Sequence, residues 1–429
     1  MKLYKSTLFS LVLLSTVAQA EVQKNQWITS WSASPQKVWN KDFVFPTHIP
    51  EQISNQTIRQ VSQISLGGEA VRLVFTNQYG EQPLYIDKTT VGLVNSKSLK
   101  SQSAYPVYFS GKLKAQILPG KQLISDPIHL SVPNHAQLIV NSFIQKPTTF
   151  KTFHWDAKQT SWLITGNQTA NLNTPTDAKT TTARLLLSAI EVKPKHKAHV
   201  VAVIGDSITD GATATLDANT RWTDFLAKRL SPHQVAVINS GISGNRLLTD
   251  GMGDSALERL KKEVFQYSGV KTLIVLVGIN DISWPGTAFA PQQEIPSFEA
   301  LTQGYQRVVD EAHKQGIQVI GATLPPFSGA LPNTPLDNYY QPNKDQLRKK
   351  INAWIRTSQT FDGVLDLDQG LKDSKHPDRL NPIYDSGDHL HPNDRGNQQM
   401  ANLVHLNQLL KKYNVGTGRN FFPTCINID

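Results

Sequence analysis

The chain has 429 residues, a formal net charge of +9, a 39% share of hydrophobic residues and one cysteine, Cys425. That length and apolar content support a sizeable core and exceed one typical domain, so two domains are expected. A single cysteine excludes an internal disulfide and any C-x-x-C metal or redox motif, and the scattered positive charge, without a basic helix or aromatic-basic motif, argues against nucleic acid as a partner.

Residues 1–20 have the organisation of an export signal. Lys2 and Lys5 supply a charged start, residues 8–17 are mostly apolar, and Ala18-Gln19-Ala20 has the small-x-small form of a cleavage site. The apolar run falls short of the roughly 20 residues that span a bilayer. Cleavage before Glu21 is therefore expected, with a periplasmic or extracellular product and no stable membrane anchor.

Residues 21–195 read as β structure. Ile58, Ser62, Ile64 and Leu66 share one side of an extended run, Gly67-Gly68 suits a tight turn, and Val71, Leu73 and Phe75 then alternate with Arg72 and Thr76, as in a hairpin. Further short segments, 138–144 and 185–192 among them, are separated by Pro, Gly and Asn. A β-sandwich or jelly-roll-like domain is expected. Trp27, Trp31, Trp39, Trp155 and Trp162 suit core filling, the commoner use of such residues, with a sugar-stacking platform as the alternative. Ser34-Pro-Gln-Lys37 matches S-x-x-K but lacks the S-D-N and K-T-G partners of that motif, and is set aside.

After a solvated linker around Lys193-Pro-Lys-His-Lys197 the pattern changes, over 196–413, to apolar strands alternating with amphipathic helices, followed by a tail at 414–429. Candidate strands are 200–204, 235–238, 272–277, 319–323 and 364–367. A helix is expected over 297–315, and a last helix begins near Asn393 and turns Met400, Leu403, Leu406 and Leu410 inward. Strict alternation argues for a parallel sheet with helices on both faces.

Strands ending at Ile204, Ile238 and Val277 place the loops GDS (205–207), NSGISGN (239–245) and GIND (278–281) along one sheet edge, where open α/β sheets carry their chemistry. The stretch YDSGDHLHPND (384–394) brings Asp388 and His391 to the same edge. A serine hydroxyl attacks an ester at neutral pH only if a base takes its proton, so Ser207 needs a histidine and a group to orient it. Ser207 is also a good helix cap, Asn280 and Asp281 suit an ordinary turn, and Asp206 suits a structural role in bonding loop amides. His389 with Asp385 competes with His391 and Asp388. The three Asp and two His of 385–394 would also suit a metal, although no further cluster of ligands accompanies them.

GDS with Ser207, the loop glycine Gly244, G-x-N-D with Asn280, and D-x-x-H with Asp388 and His391 resemble, in order, the four blocks of the SGNH or GDSL serine hydrolases. The wording around them is similar to the bacterial acylhydrolase and arylesterase branch sometimes found with xylan-degrading systems, whose β-rich N-terminal region opens with a pattern like Trp27 to Gln36. The resemblance implies a flavodoxin-like three-layer α/β/α domain in which Ser207 is the nucleophile, His391 the base and Asp388 its orienting acid. It also implies an oxyanion hole formed by the backbone N–H groups of Ser207 and Gly244 with the Asn280 amide, and no metal or organic cofactor. The G-x-S-x-G elbow of the other large hydrolase class is absent. Activity that falls as acid protonates the imidazole is expected. Short-acyl or acetylated carbohydrate esters are the expected substrates; fatty acyl esters, as for a lipase or lysophospholipase, and an inactive glycan-binding protein are the alternatives.

Overall fold

The computed structural model describes residues 26–94, 102–336 and 338–410; the expected export signal, Cys425 and the tail at 414–429 lie outside them. Two large antiparallel sheets and two small two-stranded ones form the N-terminal part among the described residues. One large sheet has six strands, in the order Lys179–Thr181, Ser161–Thr165, Gln56–Gln63, Gln137–Ile144, Lys88–Leu93 and Tyr105–Pro106. The other has four, in the order Ile28–Ser32, Leu187–Lys193, Ala70–Thr76 and Gln122–Ile124. Ile58, Ile64, Leu66, Val71, Leu73 and Phe75 lie together in the buried core, as their alternation requires.

The expected hairpin through Gly67-Gly68 does not form. Its two strands belong to different sheets, and the glycines carry the chain from one to the other. Close approach explains them: a Cβ on Gly67 would stand 2.2 Å from the Val132 carbonyl oxygen, and one on Gly68 2.5 Å from that of Lys193.

Lys195, His196 and Lys197 are exposed between the last antiparallel strand and a five-stranded parallel sheet. We label its strands β1 (His199–Gly205), β2 (Val235–Gly241), β3 (Val270–Leu276), β4 (Gln318–Ala322) and β5 (Gly363–Leu365). Their order is β2-β1-β3-β4-β5, the flavodoxin-like arrangement, whose switch point lies between β1 and β3. All pairs are parallel, and Gly205 is in register with Gly241 on one side and Leu276 on the other. Strand β2 is longer than expected because it pairs with β1 as far as Gly205; residues 239–241 are therefore strand and not loop.

Helix Phe298–Lys314 is capped by the Ser297 side chain and buries Leu301, Tyr305, Val308 and Ala312. Helix Asp394–Leu403 starts at the Asn393 cap, but it ends at Leu403. Leu406 and Leu410 fall on a separate short helix, Leu406–Leu410, whose buried residue is Leu409.

The two parts share an interface at the edge of β2. The Val237 N–H donates to Ser65 Oγ (3.1 Å) and Ser32 Oγ donates to the Asn239 carbonyl (3.0 Å), so the outer edge of the parallel sheet is capped by side chains of the sandwich.

Candidate active site

Strand β1 ends at Gly205, where a Cβ would meet Thr209 Oγ1 at 2.2 Å and the Leu276 carbonyl at 2.7 Å. The chain turns at once into the short helix Ser207–Asp210, with Asp206 as its cap: Asp206 Oδ1 accepts from the Ile208 N–H at 3.0 Å. This is the structural role expected of Asp206. Its other oxygen is buried without a partner, and burial pushes its pKa up to about 7, against the opposing pull of the Ile208 N–H and His391.

Ser207 therefore stands two residues beyond the strand, at the first position of the helix, 9% exposed. Its Oγ is 2.7 Å from His391 Nε2, and His391 Nδ1 is 2.6 Å from Asp388 Oδ2. The other Asp388 oxygen accepts the backbone N–H groups of Leu390 (3.0 Å) and His391 (2.8 Å). Burial opposes its charge, but the His391 ring and these two N–H groups outweigh burial and hold the carboxyl well below the usual carboxylate range. Asn393 caps the following helix through Gly396, while its amide donates to the Asp385 carbonyl at 2.9 Å, which fixes the loop bearing the imidazole.

Gly244 follows β2 with φ +73°, and a Cβ there would lie 2.6 Å from Met252 Sδ and 2.8 Å from the Trp284 ring. Asn280, in the short helix Ile279–Ser283 beyond β3, donates one amide hydrogen to the Asn245 carbonyl (3.0 Å) and accepts from the Tyr339 hydroxyl (2.8 Å). Burial pushes the Tyr339 phenol well above its ordinary pKa, so it stays a donor and fixes which end of the Asn280 amide is oxygen. Asp281 accepts from the Leu247 (2.7 Å) and Leu248 (2.9 Å) N–H groups; it is a loop fastener and not the turn residue its type suggests.

Ser207, Gly244, Asn280 and His391 open onto one pocket of about 420 Å³. Trp284, Phe289 and Leu336 form part of its wall, and Val44, Phe45 and Trp155 reach it from the sandwich. Phe45 stacks on Trp155 (5.3 Å) and meets Phe289 edge-on (5.5 Å); Trp39 packs edge-on against Trp155 (5.6 Å). The five sandwich tryptophans do not share one platform: Arg72 lies over Trp27, Arg184 over Trp31, and Trp162 packs on Val61, Val94 and Ile139.

The competing pair, Asp385 and His389, also forms, with Nδ1 2.5 Å from Oδ2. It does not line the pocket. Among the described residues no three His, Cys, Asp or Glu side chains converge as a metal would require. Sequence reasoning missed the Tyr339 partner of Asn280 and the role of Asp394, whose carboxylate accepts from Thr215 and Thr220 and ties the 212–221 loop to helix Asp394–Leu403. Neither contact has a sequence signal, because each joins residues far apart in the chain.

Residues 203–399 match the model of the GDSL-like lipase/acylhydrolase family. Solved structures similar to this chain include a GDSL-like lipase from Bacteroides thetaiotaomicron (19% identity, 50% of this chain and 88% of that one, TM-score 0.36). Others are a psychrotrophic esterase from a Pseudoalteromonas species (16%, 50% and 99%, TM-score 0.35) and an acetyl xylan esterase (18%, 48% and 96%, TM-score 0.34). A comparison with curated proteins gave no match. On the family match, residues 203–399, which span most of the five-stranded parallel sheet and carry the Ser207 loop at its edge, form a GDSL-like lipase/acylhydrolase domain, a family of carboxylic ester hydrolases.

Proposed function

We propose that the protein hydrolyses carboxylic esters through Ser207, His391 and Asp388. The observation that carries this reading is the unbroken relay from Ser207 Oγ through the imidazole to the Asp388 carboxylate, at 2.7 and 2.6 Å. His391 Nε2 takes the Ser207 proton as Oγ attacks the ester carbonyl, and later returns it to the leaving alcohol. Asp388 holds the Nδ1–H tautomer and stabilises the imidazolium. The tetrahedral oxyanion is met by the backbone N–H groups of Ser207 and Gly244 and by the amide hydrogen that Asn280 does not give to Asn245. Water then cleaves the acyl-enzyme by the same steps.

The substrate reading favours esters with an apolar part larger than acetyl. A pocket of about 420 Å³ walled by Trp155, Trp284, Phe289 and Leu336 has room for on the order of ten water-sized groups, several times the size of an acetyl. The same proposal includes removal of residues 1–20 and action outside the cytoplasm, which the N-terminal sequence of the mature protein, beginning at Glu21, would support.

Rates on p-nitrophenyl esters from acetyl to decanoyl, with acetylated xylan alongside, test the substrate. We expect kcat/KM to rise with chain length to about octanoyl. A maximum at acetyl with rapid deacetylation of xylan would overturn the substrate reading, and a Ser207→Ala variant as active as the wild type would overturn the mechanism.

A further inference from the structure

We propose that the N-terminal sandwich holds the oxyanion loop in place through buried side chains, and that His154 and Asp210 are positioning residues for ester hydrolysis. The inference rests on the reading of Gly244 and Asn280 as oxyanion donors. His154 belongs to the sandwich, next to strand Thr152–Phe153, yet its ring reaches the catalytic side of the interface. Nε2 lies 3.1 Å from Asp210 Oδ1, and the two side chains are 7% and 5% exposed. Asp210 closes the same short helix that begins with Ser207. Its other oxygen accepts both the backbone N–H and the hydroxyl of Ser243, each at 2.9 Å. Ser243 immediately precedes Gly244, so the carboxylate that receives His154 also sets the peptide leading into the donor glycine.

The ring has no slack. Nδ1 is 3.1 Å from the Ser34 carbonyl, which can only accept, so Nδ1 carries a hydrogen. Nε2 faces a carboxylate, so a second hydrogen must lie between ring and acid, on one or the other. Either arrangement ties His154 to Asp210 through a bond between two buried side chains. Ser34 makes a second link: its Oγ accepts from Arg259 Nη1 at 3.1 Å, and the fully buried Arg259 donates through Nη2 to Asn245 Oδ1 (2.8 Å) and to the Gly205 carbonyl (3.2 Å). Asn245 in turn supplies the carbonyl that orients the Asn280 amide. Both ends of the 243–245 loop thus lean on Ser34 and His154, residues of the sandwich.

The test compares kcat, KM and the affinity of a boronic acid mimic of the tetrahedral state for the full-length wild type, His154→Leu, His154→Gln, Asp210→Asn and the His154→Leu/Asp210→Asn double variant, with p-nitrophenyl butyrate as substrate. His135→Ala serves as comparison, since His135 Nε2 bonds Ser231 Oγ at 2.8 Å elsewhere on the interface. We expect His154→Leu to lower kcat about tenfold to a hundredfold with KM within about twofold, and to weaken the boronic acid by the same factor. His154→Gln, which retains an N–H toward Asp210, should recover most of the loss. His154→Leu should add nothing once Asp210→Asn is present, and His135→Ala should leave kcat unchanged. Wild-type kcat in His154→Leu, or losses that add in the double variant, would overturn the proposal; where His154→Leu does not fold, an unequal effect of Asp210→Asn on kcat and KM decides in its favour and an equal effect against it. A Ser207→Ala variant that remained active would refute the hydrolase reading instead, and so separates the two failures.

Discussion

Two Asp–His pairs sit within seven residues of each other and look alike in isolation. Asp385 with His389 and Asp388 with His391 have nitrogen-to-oxygen distances of 2.5 and 2.6 Å. Their surroundings differ. The His389 side chain is 48% exposed and the His391 side chain 12% exposed, and only His391 has a hydroxyl on its second nitrogen. A pair becomes useful for catalysis when a third group waits on the far nitrogen and water is kept away, not because acid and imidazole touch.

The sharpest way to break this comparison is to neutralise each acid in turn. Asp388→Asn should lower kcat about 10³- to 10⁴-fold, because the amide no longer enforces the Nδ1–H tautomer or offsets the imidazolium charge. Asp385→Asn should change kcat less than about twofold. Steady-state rates on a p-nitrophenyl ester measure both, and equal losses in the two variants would mean that the wrong pair has been placed in the mechanism.

A smaller effect is expected on the oxyanion side of Ser207. Asn280→Ala removes a side-chain donor aimed into the pocket and should cost about a hundredfold in kcat with the protein still folded. Circular dichroism alongside the rate would separate this from unfolding. A rate near that of the wild type would leave the oxyanion with backbone donors alone.

The smallest effect concerns stability and contrasts Asp388 with another carboxylate of the site. Asp388, met by an imidazole and two backbone N–H groups, is held low, whereas buried Asp206, with one N–H, is raised to about 7. An unfolded Asp loses its proton near 3.8. Between there and about 7 the folded chain keeps a proton that the unfolded chain has released, so stability falls as pH rises through that window. Asp281, raised by burial to about 6, adds to the same slope. Asp206→Asn should flatten the fall, leaving a difference of about a few degrees in Tm between pH 4 and 7.5. A variant whose melting temperature tracks the wild type across that range would contradict the assignment.

Much of the architecture was legible in the sequence because periodicity reports which face is buried. All five parallel strands and the Phe298–Lys314 helix are visible in apolar runs and spacing. The Gly67-Gly68 error came from the same source: a glycine pair between two alternating runs is equally good for a hairpin and for a crossing between sheets, and only the carbonyls of Val132 and Lys193 decide. The candidate site was legible as four blocks, but the choice of Asp388 and His391 over Asp385 and His389 came from family resemblance. Tyr339, His154 and Arg259 were not legible, since a buried polar contact between distant residues leaves no pattern along the chain. Ser34, first met as part of a chance motif, belongs with them.

Phe45 and Trp155 come from a part of the chain that supplies none of the proposed hydrolytic groups, yet they shape the space an ester would occupy. Part of the pocket wall is thereby encoded apart from the stretch that carries Ser207, Asp388 and His391. Drift in the 39–50 segment can move the enzyme among esters while the reacting centre stays as it is, which makes that segment the natural place to look for divergence between paralogues and the natural place to begin directed evolution toward a new ester.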